Sequence, residues 1–206
     1  MNKKVLLGGT LGVVVVAFVV GALLVSSNSS QSSSKLVKEY TPILGPKDAP
    51  VTIVEFLDPE CESCAAFYPA VKNLLSLYPS QVRLAVRYML YHGNSLPAAL
   101  ATEAAGRQGK YWEMQELLFK RADIWSHRRS PQNLAFEAFA EELGLDLRIF
   151  RKDMNDSNLR ARIINDFEEG KALGVKGTPT FFVNGEQLHR LSYNDLRQMI
   201  ENELRR

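Results

Sequence analysis

Apolar positions along the chain fall into three regimes. From Val5 to Val25, "VLLGGTLGVVVVAFVVGALLV", 21 residues carry no charge; a helix that crosses a bilayer needs about 20. From Ser26 to Lys35, "SSNSSQSSSK", every position is polar, the composition of a flexible linker with nothing to bury. Beyond Tyr40 the pattern becomes periodic. Val51–Asp58, "VTIVEFLD", is apolar on both alternating sets except at Glu55, which predicts a short strand covered on both faces. Ser63–Tyr78 places Ala66, Tyr68, Val71, Leu74, Leu75 and Tyr78 at near-helical spacing, with a kink expected at Pro69. Arg83–Leu90 predicts a second strand, and the strand–helix–strand order predicts parallel pairing.

A helical block follows. Leu96–Ala105 is alanine-rich, and Lys110–Phe119 carries Trp112, Met114, Leu117, Leu118 and Phe119. Leu134, Ala138, Phe139 and Leu143 mark a further helix ending near Gly144. Phe150 and Met154 mark a short one. Ile163, Ile164, Phe167 and Leu173 mark the next, ending near Gly174. Each stripe is read as a core-facing side. "TPTFFVNGEQLHRL" then predicts a hairpin turning at Asn184-Gly185, and Ser192 caps the last helix, with Asp195 in its first turn. The order β-α-β, several helices, β-β-α describes a small α/β sheet with a helical insertion over about residues 96–172.

Composition adds direction. The formal charge is +2, and Lys3 and Lys4 supply it, ahead of the apolar run. A positive start places the N-terminus in the cytoplasm and the rest of a single-pass chain outside. The rival is a cleaved signal sequence, whose apolar region is shorter, about 7–15 residues; small residues at Val20–Ala22 or Ser27–Ser29 would admit a peptidase. No cysteine follows the run, which excludes lipid attachment there. Either way the domain faces an oxidising compartment. The expected organisation is an anchor or signal sequence at 1–25, a tether at 26–40 and one domain at 41–206. About 15 linker residues reach roughly 20 Å. No basic stripe interleaves with aromatic residues, so nucleic acid is not an expected partner.

Cys61 and Cys64, in "EFLDPECESC", are the only two cysteines. A C-x-x-C at a helix start puts both sulfurs on one turn. The helix end stabilises a thiolate, which is the nucleophile, and the short disulfide exchanges readily. Two blander readings compete. A structural zinc site wants four ligands, and only His92, His127 and His189 remain, widely spaced. A structural clip between positions i and i+3 closes too small a loop to stabilise much. Glu55, six residues before Cys61, is either an exposed edge carboxylate or a buried acid of raised pKa that could exchange a proton with Cys64. Thr178-Pro179 opens a strand; a cis bond there would present Thr178 backbone groups to an extended substrate.

These pieces resemble the DsbA-like thioredoxin-fold family. The C-x-x-C after a strand, Glu55, "GVKGTPTFFVNG" (174–185) and "YHGNSLPAALATEAAGRQGKYWEMQELLF" (91–119) carry the likeness, which runs from about Thr41 to the C-terminus. The resemblance implies that Cys61 is the nucleophile, Cys64 the resolving thiol, Glu55 the buried acid and Pro179 a cis-proline preceded by the substrate-contacting Thr178. It implies cysteine-containing client proteins outside the cytoplasm, a membrane redox partner that resets the site, and no cofactor beyond the Cys61–Cys64 disulfide. A bacterial inner-membrane protein with a periplasmic catalytic domain follows. The departure is the dipeptide: Glu62-Ser63 stands where strong oxidants of the family carry a histidine. Treated as solvent-exposed charges, Glu60 and Glu62 would raise the Cys61 pKa by about one unit, which predicts a milder oxidant. Thr178 is associated with reductase and isomerase relatives. The competing functions are therefore a disulfide-forming oxidoreductase, a reductase or isomerase kept reduced by a membrane partner, and a thiol-based copper-binding module.

Overall fold

The computed structural model describes residues 36–206. The apolar run and the serine-rich stretch, which carry the expected anchor and most of the tether, lie outside the described residues. Among the described residues no helix is long and apolar enough to cross a membrane.

A five-stranded sheet runs in the order β1-β3-β2-β4-β5. Its strands are β1 (Ile43–Leu44), β2 (Val51–Leu57), β3 (Val82–Tyr88), β4 (Thr180–Val183) and β5 (Glu186–Gln187). β2 and β3 pair in parallel, as predicted, through helix α1 (Glu62–Leu77). The other pairings are antiparallel. β2 is central and every one of its residues is buried, which accounts for its lack of polar alternation. Its two faces serve different layers. Val51, Ile53 and Leu57 join the core shared with Cys64, Val71 and Leu74 of α1, whereas Val54 and Phe56 join Leu36, Ala85, Met89 and Val175 on the opposite side. Since strand side chains alternate, Glu55 falls on the α1 face.

Six helices fill the insertion between β3 and β4: α2 (Ser95–Gly106), α3 (Tyr111–Lys120), α4 (Ala122–Trp125), α5 (Asn133–Glu142), α6 (Leu147–Met154) and α7 (Ser157–Ala172). α2 is the hub and packs against α3, α5, α6 and α7. Its buried Ala98, Ala99, Ala101, Ala104 and Ala105 let those neighbours come close. α8 (Tyr193–Leu204) closes the chain over β2 and β4, and the Ser192 side chain accepts from the Asp195 N–H, as its N-cap reading required.

Several expectations needed correction. Ala66 is exposed. Leu134, at 83% exposure, Ala138, Ile164 and Leu173 project outward rather than into the core; Phe139 and Ile163 of the same stripes face inward as expected, joined by Phe136 and Leu159. The two-residue β1 and the one-turn α4 are too short to leave a period in the sequence.

One charged residue is wholly buried in the sheet. Arg87 of β3 donates to Asp166 at 2.6 Å, to Glu169 at 2.7 Å and to the Leu36 carbonyl at 2.8 Å. It ties α7 and the start of the described chain to the sheet. Removing one partner of a buried ion pair strands the other. Arg87→Ala is therefore expected to destabilise the domain by about 3–5 kcal/mol, read as a lowered urea midpoint at unchanged slope.

Candidate active site

The backbone turn between β2 and α1 carries the chemistry. Cys61 is the N-cap of α1 and lies at the positive helix end, while Cys64, one turn in, is fully buried. Both stand as free thiols. From across the sheet, the Thr178-Pro179 bond is cis and the Thr178 carbonyl lies 3.4 Å from Cys61 Sγ. Glu55 sits on β2, 2% exposed, on the same face as α1. Its Oε2 has no hydrogen-bond partner. The structure thus brings Glu55, Cys61, Cys64, Thr178 and Pro179 together. Ser63 is exposed and acts through its backbone.

The three titrating groups are driven apart. A hydrogen bond from the Cys64 thiol lowers the Cys61 pKa; burial opposes this; the Thr178 side chain and the N–H groups of Cys64 and Ser63 add donors, and the pKa comes to about 5. Burial pushes the Cys64 thiol far up, and its bond to Cys61 and the charges of Glu55 and Cys61 push the same way. Burial, then the Cys61 charge, raises Glu55 to about 8. One sulfur is therefore an anion at neutral pH, the other a thiol, and the carboxyl beneath them holds a proton.

The acidic neighbours differ from each other. Glu62 is exposed, with its side chain at 75%, and its Oε1 lies 2.7 Å from His127 Nε2. Glu60 is 3% exposed and turned inward, where it accepts from the Asn94 N–H at 2.5 Å and the His127 N–H at 2.6 Å. The two exposed charges weighed from the sequence are thus one exposed carboxylate beside a histidine and one buried carboxylate tied to backbone donors. Residues that the sequence reading did not single out for this site complete it. Buried Asp58 accepts from the Glu60 N–H, Ser95 Oγ and the Tyr91 N–H, and pairs with His92 Nδ1 at 2.8 Å. The only available signal was the run of acids, "DPECE", directly before and within the cysteine pair. Among the described residues no cluster of three or more His, Cys, Asp or Glu is arranged to hold a metal ion.

The comparisons agree with this geometry. A family profile described as thioredoxin matches residues 37–202. This chain belongs to the thioredoxin family. Its fold matches that of α-DsbA1 from Wolbachia pipientis, with TM-score 0.72, 18% identity and coverage of 84% of this chain and 97% of that one. It also matches a thioredoxin-like oxidoreductase from Silicibacter pomeroyi, with TM-score 0.71, 26% identity and coverage of 83% and 96%. The fold, helical insertion included, is the one expected from the resemblance to the DsbA-like thioredoxin-fold group. By sequence the chain is 41% identical over 150 residues to a Na(+)/H(+) antiporter, NhaA 3, of Salinispora tropica. That stretch is 71% of this chain and 22% of the antiporter, so the chain spans about a fifth of the curated relatives it matches.

Glu55 gives a stability test. A carboxyl raised from 4.5 to about 8 binds its proton more tightly when folded, so folding is favoured below the unfolded pKa and loses stability as pH rises through the folded one. Between about pH 4.5 and 8 the reduced wild type should lose on the order of 4 kcal/mol relative to Glu55→Gln. Paired denaturant titrations at those two pH values measure it; parallel curves would refute a buried protonated acid.

Proposed function

We propose that the protein is an extracytoplasmic thiol–disulfide oxidoreductase that forms disulfides in client proteins, held at the inner membrane through residues 5–25 and reset by a membrane redox partner. The observation that carries the reading is the acidic Cys61 thiol, with a pKa of about 5, set against the Thr178 carbonyl. A low-pKa thiol is a good leaving group, and stabilising the reduced form makes its disulfide a stronger oxidant. The description of the Silicibacter pomeroyi protein as an oxidoreductase supports the same assignment.

The reaction starts from the Cys61–Cys64 disulfide. A client thiolate attacks Cys61 Sγ, the S–S bond breaks, and its electron pair goes to Cys64. That sulfur is strongly basic, and Glu55, protonated up to about pH 8, supplies its proton. An extended client segment lies along Thr178, whose exposed backbone pairs with it in the manner of an added strand. A second client thiolate then attacks the client sulfur of the mixed disulfide, and Cys61 leaves as a thiolate. The client has lost two electrons and gained a disulfide; the dithiol enzyme hands the pair to its membrane partner. The electron pair passes through the two cysteines, and Glu55 carries the proton.

Trapping tests the reading. Cys64→Ala should accumulate mixed disulfides on Cys61 with exported proteins and with one membrane protein, and Cys61→Ser should give none. Equilibration with glutathione tests direction. The expected potential lies well above the about −270 mV of thioredoxin and short of the about −120 mV of the strongest oxidants. A value near thioredoxin's would assign a reductase, and stoichiometric Cu(I) binding without client adducts would assign a copper module.

A further inference from the structure

The dipeptide between the cysteines offers no cation, yet two histidines stand beside it. His92 follows β3, and His127 follows α4; their rings meet edge-to-face with centroids 5.3 Å apart and planes at 78°. Each is held by an acid of the active-site turn. His92 Nδ1 lies 2.8 Å from Asp58 Oδ2, and His127 Nε2 lies 2.7 Å from Glu62 Oε1. The His127 backbone sits at φ +54°, one of two non-glycine residues with positive φ among the described residues, a conformation that costs on the order of 1 kcal/mol and is kept only where surroundings impose it. Here Glu60 imposes it by accepting the His127 N–H. The acids that hold these two histidines, Asp58, Glu60 and Glu62, all lie within three residues of Cys61.

We infer that His92 and His127 form a two-histidine cradle, supplied by the loops flanking the start of the helical insertion, that stabilises the Cys61 thiolate in place of a cation between the cysteines. They are positioning residues; no bond forms or breaks at them. The inference rests on Cys61–Cys64 being the redox couple. The charge of Cys61 raises the His92 pKa, and because such coupling is reciprocal a protonated His92 lowers that of Cys61. Burial pulls His92 down, but its bond to Asp58 and the charges of Asp58, Cys61 and Glu60 outweigh this and hold it above an ordinary histidine. The other charged or titratable groups facing the pair are Glu62 from α1 and Tyr91 beside Asp58. Glu55 faces Cys61 from below. The Arg128 guanidinium turns away onto the Asp123 and Ile124 carbonyls. The acids of the turn thus gather two imidazoles beside Cys61, and discharge of His92 weakens the oxidant.

The test follows Cys61 ionisation by thiolate ultraviolet absorbance in the reduced full chain in detergent, together with its glutathione equilibrium. Only two cysteines are present and Cys64 is pushed far up, so the signal belongs to Cys61. His92→Gln and His127→Gln keep hydrogen-bonding capacity and lose the charge. Each should raise the Cys61 acid dissociation pKa by about half a unit, about threefold in the constant, and the double variant about tenfold. The glutathione constant at about pH 6 should move by the same factors toward a weaker oxidant, and His127→Lys should restore it. At about pH 9, well above the ordinary histidine range, wild type and His92→Gln should converge. Gln variants that titrate like wild type, or a difference undiminished at about pH 9, overturn the cradle while leaving the redox couple standing. A wild type that forms no Cys61–Cys64 disulfide with glutathione overturns both.

Discussion

The site depends on one buried carboxylate, Asp58. It is fully enclosed, and a buried charge is tolerable only when its lone pairs are met by donors. Four donors meet them: the N–H groups of Glu60 and Tyr91, the Ser95 hydroxyl and the His92 ring. The Asp58 carbonyl also accepts the Cys61 N–H at 3.1 Å. One residue thereby joins the end of β2, the cap of α1 and the first turn of α2. The thioredoxin sheet and the helical insertion do not simply abut; they share a hydrogen-bonded corner, and the nucleophile stands on it.

That corner explains how a turn rich in acids can support an acidic thiol. A carboxylate raises a nearby thiol's pKa only to the extent that its charge is unmet. Glu60 is met by two backbone N–H groups and Glu62 by a histidine, so neither acts on Cys61 as a bare charge. Glu55 is different. It lies under the sulfurs with one oxygen unpartnered, and it escapes the cost of a buried charge by staying protonated. The same burial that raises Glu55 raises Cys64.

Much of this was legible in the sequence where a period or a spacing carried it. The β2 pattern revealed a strand covered on both faces, and the single break in that pattern was Glu55. The C-x-x-C and the helical period after it placed both sulfurs on the first turn of α1, and Asn184-Gly185 fixed the hairpin. The helical stripes were legible only in part. An exposed leucine such as Leu134 looks identical to a core leucine until its neighbours are known. Long-range polar partners left no trace at all. Glu60 and His127 are far apart in the chain, and nothing local distinguishes a glutamate that folds inward from one that points to solvent. The size of its effect on Cys61 turns on that difference.

The location of the regulating groups also bears on what the N-terminal segment contributes. Among the described residues, the groups that set the Cys61 and Cys64 acidities come from 55–64 and 178. All lie inside the matched span of 37–202. The Salinispora tropica antiporter matches this chain over only 22% of its own length, so the same kind of domain occurs within a much longer protein. What a tether would add is location: confinement near a surface raises the local concentration of whatever else resides there. In the proposed mechanism the sequence before Leu36 would govern which thiols the site meets, and Asp58, Glu55 and the two histidines what it does to them.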